Sequence, residues 1–293
     1  MKSLRSLNVP LMAACITLVI TGCANQVLLH PDTAREAAAA RPVHPSYYGD
    51  PPELVTVTNR NNCRLSGWAF FSPTNHGVIL VGDGNATGLA QTYDYNRYLV
   101  KKGFNIVVLS YQGFDTNEGK ADLHSLYTDV ESFYELCRQR CPGQPIALMA
   151  ESISTAPFFC FASHHPEIAA VVLEAMVDPK KVAFAKLNDW WLFYPFYPVT
   201  IGAACAISAQ VPDDLDTDKA LALTGSVPAL FIHHPADKLT PYRIAWRIYE
   251  SYHGHKKWVT LQKDHSWEKH MTASYDQEVN EQVLGFLQES MNP

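Results

Sequence analysis

The chain has 293 residues, of which 47% are hydrophobic and 18% are charged, and its formal net charge is −6. This balance is typical of a globular protein with one large core, although the length also allows two domains. The acidic charge argues against a basic surface, so no nucleic-acid partner is expected.

The N-terminus has the features of an export signal. Lys2 and Arg5 supply positive charge, and Leu11–Ile20 is an apolar stretch too short to cross a bilayer as a helix. It leads into Thr21-Gly22-Cys23, which resembles the lipobox of bacterial lipoproteins. The resemblance implies that residues 1–22 are a signal peptide and that Cys23 is lipidated. The alternative is an ordinary signal peptide with a chance cysteine.

A lipid on Cys23 predicts a protein of the bacterial cell envelope, held at a membrane by its acyl chains. Ala24 follows the cysteine in place of the aspartate linked to inner-membrane retention, so the resemblance favours the outer membrane, facing the periplasm. Residues 23–52 include an alanine run and several prolines and have no strand pattern. They are predicted to form a lipidated tether, followed by one domain over residues 53–293.

From residue 53 onward, short apolar runs alternate with segments that repeat hydrophobic residues at helical spacing. The first two runs are joined by a polar turn and predict a hairpin. The inner runs are apolar throughout, which is typical of parallel strands covered by helices on both faces. The predicted strands are Glu53–Thr58, Cys63–Phe71, Val78–Asp83, Phe104–Gln112, Pro145–Ala150, Ala169–Val177, Pro228–His233 and Lys257–Gln262. The predicted helices are Tyr93–Lys102, Asp122–Arg140, Ser154–His164, Tyr242–Tyr252 and Tyr275–Glu289.

A candidate nucleophile follows the fifth strand. The stretch Ala150-Glu151-Ser152-Ile153-Ser154 lies between a predicted strand and a predicted helix, where a sharp G-x-S-x-G turn exposes a catalytic serine. Both glycines are replaced here, by alanine and serine, which are the next smallest side chains. The position predicts Ser152 as the nucleophile. The alternatives are that Ser152 only caps the helix, or that Ser154 is the reactive serine.

An acid and a base follow in the order that this chemistry uses, which is serine, then acid, then histidine, each after a strand. Asp237 follows the seventh strand, and His265 follows the eighth. They are predicted to complete a catalytic triad with Ser152. A helix-capping role is the alternative for Asp237, and His270 is the nearest competing histidine.

An oxyanion hole needs two backbone N–H groups. One is predicted to come from Ile153, after the nucleophile, and the other from Asn85, in the loop after the third strand. Asp83 lies in the same loop. Its carboxylate, at about 8 Å and an effective dielectric constant of about 20, would oppose an oxyanion by roughly 2 kcal/mol unless it points away or is paired.

These features resemble the α/β-hydrolase superfamily over roughly residues 53–290, and most nearly its serine-aminopeptidase-like and acyl-esterase branch. After the fourth strand that branch has a stretch like Asp-Tyr-Arg-Gly-Phe-Gly-x-Ser-x-Gly, and Ser110–Gly119 departs from it at four positions. The resemblance implies an α/β-hydrolase fold with a mostly parallel eight-stranded sheet and helices on both faces. It also implies a small cap after the sixth strand, at residues 178–226.

The cap segment is rich in aromatic residues. One interpretation is that they line an apolar acyl pocket or touch lipid, with Trp190 and Trp191 as substrate-binding residues. The other is that they pack the cap onto the sheet, and the two interpretations are compatible. The aromatic residues are Trp190, Trp191, Phe193, Tyr194, Phe196 and Tyr197.

Five cysteines remain besides Cys15 in the signal and Cys23. An odd number leaves at least one thiol free. Cys137 and Cys141 are four residues apart, and their spacing allows either a disulfide between them or two free thiols. No metal site or organic cofactor is predicted, because no ligand spacing is present. The five are Cys63, Cys137, Cys141, Cys160 and Cys205.

The pattern as a whole predicts a serine hydrolase that cleaves small-molecule carboxylic esters or thioesters through an acyl-serine intermediate. A peptidase of the same fold is an alternative, although no acidic cluster for a substrate amine is recognisable in the sequence. A non-catalytic envelope protein on a hydrolase scaffold is the third interpretation, since both elbow glycines are lost and Asp83 is acidic.

Overall fold

A computed structural model describes residues 23–40, 51–72, 74–82, 84–85, 87–188, 197–223, 225–262, 266–267, 270–271 and 276–291. The main strands are β1 (Glu53–Thr58), β2 (Arg64–Phe70), β3 (Val78–Gly82), β4 (Asn105–Leu109), β5 (Ile146–Glu151), β6 (Ala170–Glu174), β7 (Ala229–His233) and β8 (Lys256–Thr260). The helices are α1 (Cys23–Leu28), α2 (Pro31–Ala40), α3 (Leu89–Val100), α4 (Leu123–Arg140), α5 (Thr155–His164), α6 (Pro179–Asn188), α7 (Tyr197–Ser208), α8 (Thr217–Leu223), α9 (Tyr242–Ser251) and α10 (Gln277–Met291). Two-residue strands, β9 (Ser266–Trp267) and β10 (His270–Met271), pair with each other.

The eight main strands form one sheet in the order β1-β2-β4-β3-β5-β6-β7-β8. β1 pairs antiparallel with β2, and β2 pairs antiparallel with β4, whereas all the other pairs are parallel. The predicted mostly parallel eight-stranded sheet is therefore confirmed. Parallel strands end at the same edge, so the loops after β3, β5, β6, β7 and β8 gather there.

Helices cover both faces of the sheet, as the uniformly apolar inner strands predict. On one face, Phe133 of α4 and Phe158 of α5 are completely buried. On the other face, Leu99 of α3 and Phe286 of α10 pack into a second cluster. Burial of each such side chain contributes about 1.5–3 kcal/mol, so the two layers hold the strand ends in place.

Helix α3 begins at Leu89, four residues before the predicted start at Tyr93. Gly88 is the N-cap, and its backbone N–H donates to the Gln91 side chain at 3.1 Å, so the first turn is capped without help from an apolar residue. Hydrophobic spacing alone misses such a turn. The earlier start shortens the loop between β3 and α3, which is part of the candidate site.

The segment between β6 and β7 carries α6, α7, a short 3-10 turn (Asp213–Leu215) and α8. Helices α6 and α7 pack on each other, in the region predicted as a cap. Among the residues that the structure describes, no helix is both long and apolar enough to cross a bilayer.

The N-terminal segment (residues 23–40) differs from the expected tether. It forms α1 and α2 instead of an extended linker. Ala24, Leu28 and Leu29 are buried and belong to the main core cluster. The lack of a strand pattern does not exclude helices, and the apolar side chains of α1 pack against the body of the protein. Lipidation of Cys23 stays a prediction, as does the signal peptide, because residues 1–22 lie outside the described part of the chain.

The five cysteines of residues 53–293 are all free thiols in the structure. The disulfide considered for Cys137 and Cys141 is therefore not formed. Cys137 is fully buried in α4, and Cys141 accepts a hydrogen bond at 3.5 Å from the Asn105 side chain. Burial raises the pKa of both thiols, so both stay protonated and unreactive at neutral pH.

Candidate active site

The strand register brings the predicted site residues to one edge of the sheet. Gly82 at the end of β3 is paired with Ala150 of β5, and Ser152 follows two residues later. β6 separates β5 from β7, so the loop that carries Asp237 starts two strand spacings, about 10 Å, from the Ser152 turn. β8 ends beside β7, through the pairing of His233 with Thr260.

Ser152 has a left-handed backbone, with a φ of 54°, at the junction between β5 and a 3-10 turn that leads into α5. A non-glycine residue in this region carries a strain of order 1–3 kcal/mol, which the surroundings must hold. Thr155 supplies part of the hold: its Oγ1 donates to the Ser152 carbonyl at 2.6 Å and accepts from the Val177 N–H at 2.9 Å. A strained serine at this junction has the backbone geometry of a nucleophile elbow.

The replaced elbow glycines are explained by the space around the turn. A Cβ added at Gly82 would lie 3.1 Å from the Ser154 Cβ and 2.5 Å from the Phe158 ring, so only a small residue fits at position 154. Ser154 is fully buried, and its Oγ accepts a hydrogen bond at 2.9 Å from the Tyr111 hydroxyl. Ser154 is therefore part of the packing behind the turn, which removes it as the rival nucleophile.

The loop after β3, which is the predicted oxyanion loop, passes directly beside Ser152. A Cβ added at Gly84 would lie 3.2 Å from the Ser152 Cβ and 3.8 Å from its Oγ. Ile153, the other predicted oxyanion donor, is buried in the first turn after the serine. Asn85 follows Gly84, and its side chain faces the N-terminal segment: Nδ2 donates to the Leu28 carbonyl at 2.8 Å. The predicted role of Asn85 is thus one for its backbone N–H.

Asp237 lies in the loop after β7 and is 95% buried. Its Oδ1 accepts hydrogen bonds from the backbone N–H groups of Leu239 and Thr240, both at 2.8 Å. These two bonds fix the orientation of the carboxyl group, and both are made to Oδ1 rather than Oδ2. The loop thus presents a buried, oriented carboxylate at the same edge of the sheet as Ser152.

Several predicted residues lie outside the described part of the chain. They include the predicted base, His265, which would follow β8 by five residues. They also include Asp83 of the predicted oxyanion loop, residues 83–88. Trp190 and Trp191 of the cap fall in the same class. The structure therefore places Ser152, Ile153, Asn85 and Asp237 at one edge of the sheet, and the roles predicted for these four residues and for the other four stay predictions.

No family model matches the chain. Over 263 residues it is 23% identical to the uncharacterized protein YfhR of Escherichia coli (strain K12), which covers 84% of this chain and 85% of that protein. Over 197 residues it is 27% identical to alpha/beta hydrolase domain-containing protein 17C of Xenopus tropicalis, and this match covers 66% of this chain and 57% of that protein. The solved structure of the Pyrococcus furiosus esterase Pf2001 matches with a TM-score of 0.64 at 15% identity, covering 85% of this chain and 95% of that one. The chain has the α/β-hydrolase fold.

The departures of this hydrolase-fold chain from the superfamily pattern after β4 compensate one another. Ser110 stands where that pattern has aspartate and Asp115 where it has glycine, and Asp115 adopts the left-handed φ of 47° that suits a glycine. The Ser110 hydroxyl donates to the Asp115 carboxylate at 2.6 Å. The carboxylate has in effect moved five residues along the loop, and burial raises its pKa, against the lowering by the Ser110 hydrogen bond.

Behind this loop, a buried carboxylate holds the chain after β4. The Asp129 side chain accepts from the Gln112 N–H at 2.8 Å and from the Asn59 side chain at 2.7 Å. Burial raises the pKa of Asp129 to about 6, although both hydrogen bonds favour its ionised form. The contact links α4 to the β1–β2 turn, over a sequence separation that no local pattern reveals.

Two carboxylates that sequence reasoning passed over also lie at the strand ends. Glu151 and Glu174 are the last residues of β5 and β6 and are paired in register. They line a small cavity together with Gly82 and Asn96. Burial, and secondarily the charge of Glu174, raise the pKa of Tyr98 nearby. Their sequence signal is a charged residue at the end of an otherwise apolar strand.

No group of three or more His, Cys, Asp or Glu side chains is arranged to hold a metal ion within the described ranges. The half-buried Glu151 and the buried Glu174 are best considered as local charges near Ser152, and their effect is electrostatic.

Proposed function

We propose that this chain is a serine hydrolase that cleaves carboxylic esters or thioesters through an acyl-serine intermediate, with Ser152, Asp237 and His265 as its triad. Small-molecule acyl compounds are its substrates, and the bacterial envelope is its location. The coarser class, a hydrolase of ester type, is supported by the likeness to the Pyrococcus furiosus esterase and to the alpha/beta hydrolase domain-containing protein.

The observation that carries the proposal is the left-handed backbone of Ser152 at the strand-to-helix junction. Capping of α5 does not account for this strain, because the N-cap of that helix is Ser154 and not Ser152. It exposes the hydroxyl at the strand ends, beside Gly84 of the loop after β3. A strained elbow next to an oxyanion loop is what acyl transfer to a serine requires.

The chemistry follows in two steps. His265 removes the proton from the Ser152 hydroxyl as its oxygen attacks the acyl carbon, and the N–H groups of Ile153 and Asn85 stabilise the oxyanion. Collapse of that intermediate expels the alcohol or thiol, which takes the proton from His265 and leaves an acyl-serine. Water, deprotonated by His265, then releases the carboxylic acid and restores the serine. Asp237 orients the imidazole throughout.

A peptidase is the second candidate, and one observation favours it. Glu151 and Glu174 place two carboxylates at adjacent strand ends, next to the nucleophile turn. A pair of carboxylates attracts a substrate ammonium group, which a simple ester lacks. Esters remain the first choice, because the ordered serine elbow is explained without that pair.

The proposed location rests on the Cys23 lipidation sequence, and the fold makes the anchor short. Cys23 is the first residue of α1 and lies five residues, roughly 8 Å of helix, before Leu28, whose carbonyl binds Asn85 of the oxyanion loop. A lipid at Cys23 therefore keeps the site close to the bilayer surface. Mass spectrometry of the purified N-terminus tests this, and a Cys23→Ser chain is expected to leave the membrane fraction.

Labelling of the full-length protein with a fluorophosphonate probe tests the function. Wild type is expected to take up one label per chain and Ser152→Ala none, because only an activated serine attacks the probe. Ser163→Ala, on α5 outside the site, is the matched control and is expected to label like wild type.

The substrate class is then separated with p-nitrophenyl esters of rising acyl length and with aminoacyl p-nitroanilides. Faster ester turnover, unchanged in Glu174→Gln, supports the esterase. Turnover of the aminoacyl compounds that falls in Glu174→Gln would move the peptidase to the front. A folded wild-type protein that takes no label would contradict both and would favour a non-catalytic binding protein.

A further inference from the structure

The N-terminal segment crosses the edge of the sheet that carries the candidate site. Its α1 is buried against the body through Ala24, Leu28 and Leu29. Asn25 fixes the segment to the start of α4: its Oδ1 accepts from the Leu123 N–H at 2.9 Å, and its Nδ2 donates to Asp122 at 3.0 Å. The segment is thus docked at a defined place rather than lying loosely on the surface.

The first of two contacts with the oxyanion loop is made by the Asn85 side chain. Nδ2 donates to the Leu28 carbonyl at 2.8 Å, and Oδ1 accepts from the His30 N–H at 3.0 Å. Both polar atoms of the amide are therefore satisfied by the backbone of the N-terminal segment.

The second contact reaches the far end of the loop through Arg35. Its Nη2 donates to the Gly113 carbonyl at 2.7 Å, and its Nε donates to the Asp115 carbonyl at 3.2 Å. The Asp115 carboxylate in turn accepts from the N–H of Leu89, the first residue of α3, where the oxyanion loop ends. Arg35 therefore supports the residue that fixes the C-terminal end of the loop.

These contacts matter because the loop must be placed accurately. Gly84, directly before the first support at Asn85, lies against Ser152 closely enough that an added Cβ would be 3.2 Å from the serine Cβ. An N–H group stabilises an oxyanion only within a narrow range of distance, and a shift of about 1 Å can cost about 10²-fold in rate. A side chain that holds the loop thus affects catalysis without touching the substrate.

We infer that Asn85 and Arg35 are positioning residues, through which the N-terminal segment holds the oxyanion loop against Ser152. Residues 28–35, close to the predicted lipid attachment site, then support the active site and are not a spacer. This inference rests on the proposed function, and it adds that turnover depends on docking of residues 28–35.

The experiment measures the rate and the endpoint of fluorophosphonate labelling in the full-length protein, together with kcat and KM for p-nitrophenyl butyrate. Asn85→Ala is expected to lower the labelling rate and kcat by about 10²-fold, and Arg35→Ala by about tenfold, with KM within about threefold of wild type. The endpoint stays at one label per chain, because the serine remains intact. Arg35→Lys is expected to recover part of the rate, since an ammonium group keeps a donor for the Gly113 carbonyl.

Arg60→Ala is the matched control, because Arg60 is an exposed arginine that pairs with Glu131 on α4 and does not contact the loop. It is expected to label at the wild-type rate. Wild-type rates in Asn85→Ala and Arg35→Ala would overturn the inference and leave the proposed function standing. A lower endpoint at an unchanged rate would also overturn it, since it reports a loss of folded protein and not of positioning. A wild type that takes no label at Ser152 would remove the proposed function and the inference together.

Discussion

The turn that carries Ser152 and the loop that carries Asp237 hold these two side chains by opposite means. The strained backbone of Ser152 is held by close packing, with Gly84 on one side and the buried Ser154 behind it. Asp237 is held by two hydrogen bonds from backbone N–H groups to one carboxylate oxygen, in a short loop of its own. The Ser152 turn thus depends on the volume of the side chains packed around it, whereas the Asp237 loop depends on a hydrogen-bond acceptor at position 237.

The difference predicts how each region fails. A small increase in volume near Ser152 displaces the hydroxyl, because close-packed neighbours have little room to relax. In the loop that carries Asp237, a side chain of the same shape keeps the two hydrogen bonds to the backbone whether or not it is charged. Chemistry and structure are thus separable at Asp237, whereas they are coupled at Ser152.

The largest effect is expected for Asp237→Asn. The asparagine Oδ1 still accepts from Leu239 and Thr240, so the unfolding temperature should change little, while kcat falls by about 10⁴-fold because the histidine is held in the wrong tautomer. Steady-state kinetics with an ester and thermal unfolding measure the two quantities on one sample.

Asp237→Ala is the companion variant that sharpens the contrast, because it removes both acceptor contacts. It is expected to lower activity to a similar degree and, in addition, to lower the free energy of unfolding by about 1–3 kcal/mol. Activity of Asp237→Asn within tenfold of wild type would contradict the assignment and would point to Glu174, at the end of β6, as the acid.

The next effect concerns the support of the nucleophile turn. Thr155→Val keeps the shape of the side chain but removes the hydroxyl that joins the Ser152 carbonyl to the Val177 N–H. Loss of these buried hydrogen bonds should lower the free energy of unfolding by about 2 kcal/mol, measured by urea denaturation. Thr128→Val, whose hydroxyl donates to a carbonyl within α4, is the control and should cost about 0.5 kcal/mol or less. Equal stability of the two variants would show that the turn does not depend on this bridge.

The smallest effect is expected for Gly84→Ala. The added methyl group lies 3.2 Å from the Ser152 Cβ, so the loop and the turn must separate by a few tenths of an ångström. We expect the fluorophosphonate labelling rate to fall by about tenfold, which corresponds to about 1.4 kcal/mol, with little loss of stability. Gly285→Ala in α10, where an added Cβ meets nothing within 4 Å, should label like wild type. An unchanged rate in Gly84→Ala would mean that the loop has room to move and that volume does not control this region.

Much of the fold follows from local patterns. The strands predicted to end at Asp83, Ala150 and His233 end within one residue of those positions, because a doubly covered strand has to be apolar throughout. The start of α3 at Leu89 was missed, since Gly88 and Gln91 cap the helix through hydrogen bonds that hydrophobic spacing does not record.

The sequence by itself determined the sheet class and the positions of Ser152 after β5 and Asp237 after β7, because strand periodicity and chain order are local properties. Only the tertiary structure decided that Ser154 is buried against Tyr111, and that the N-terminal segment docks on the oxyanion loop through Asn85. These contacts join residues 43 and 57 positions apart in the chain. Their partners are chosen by the packing of the whole fold, and no short stretch of sequence carries that information.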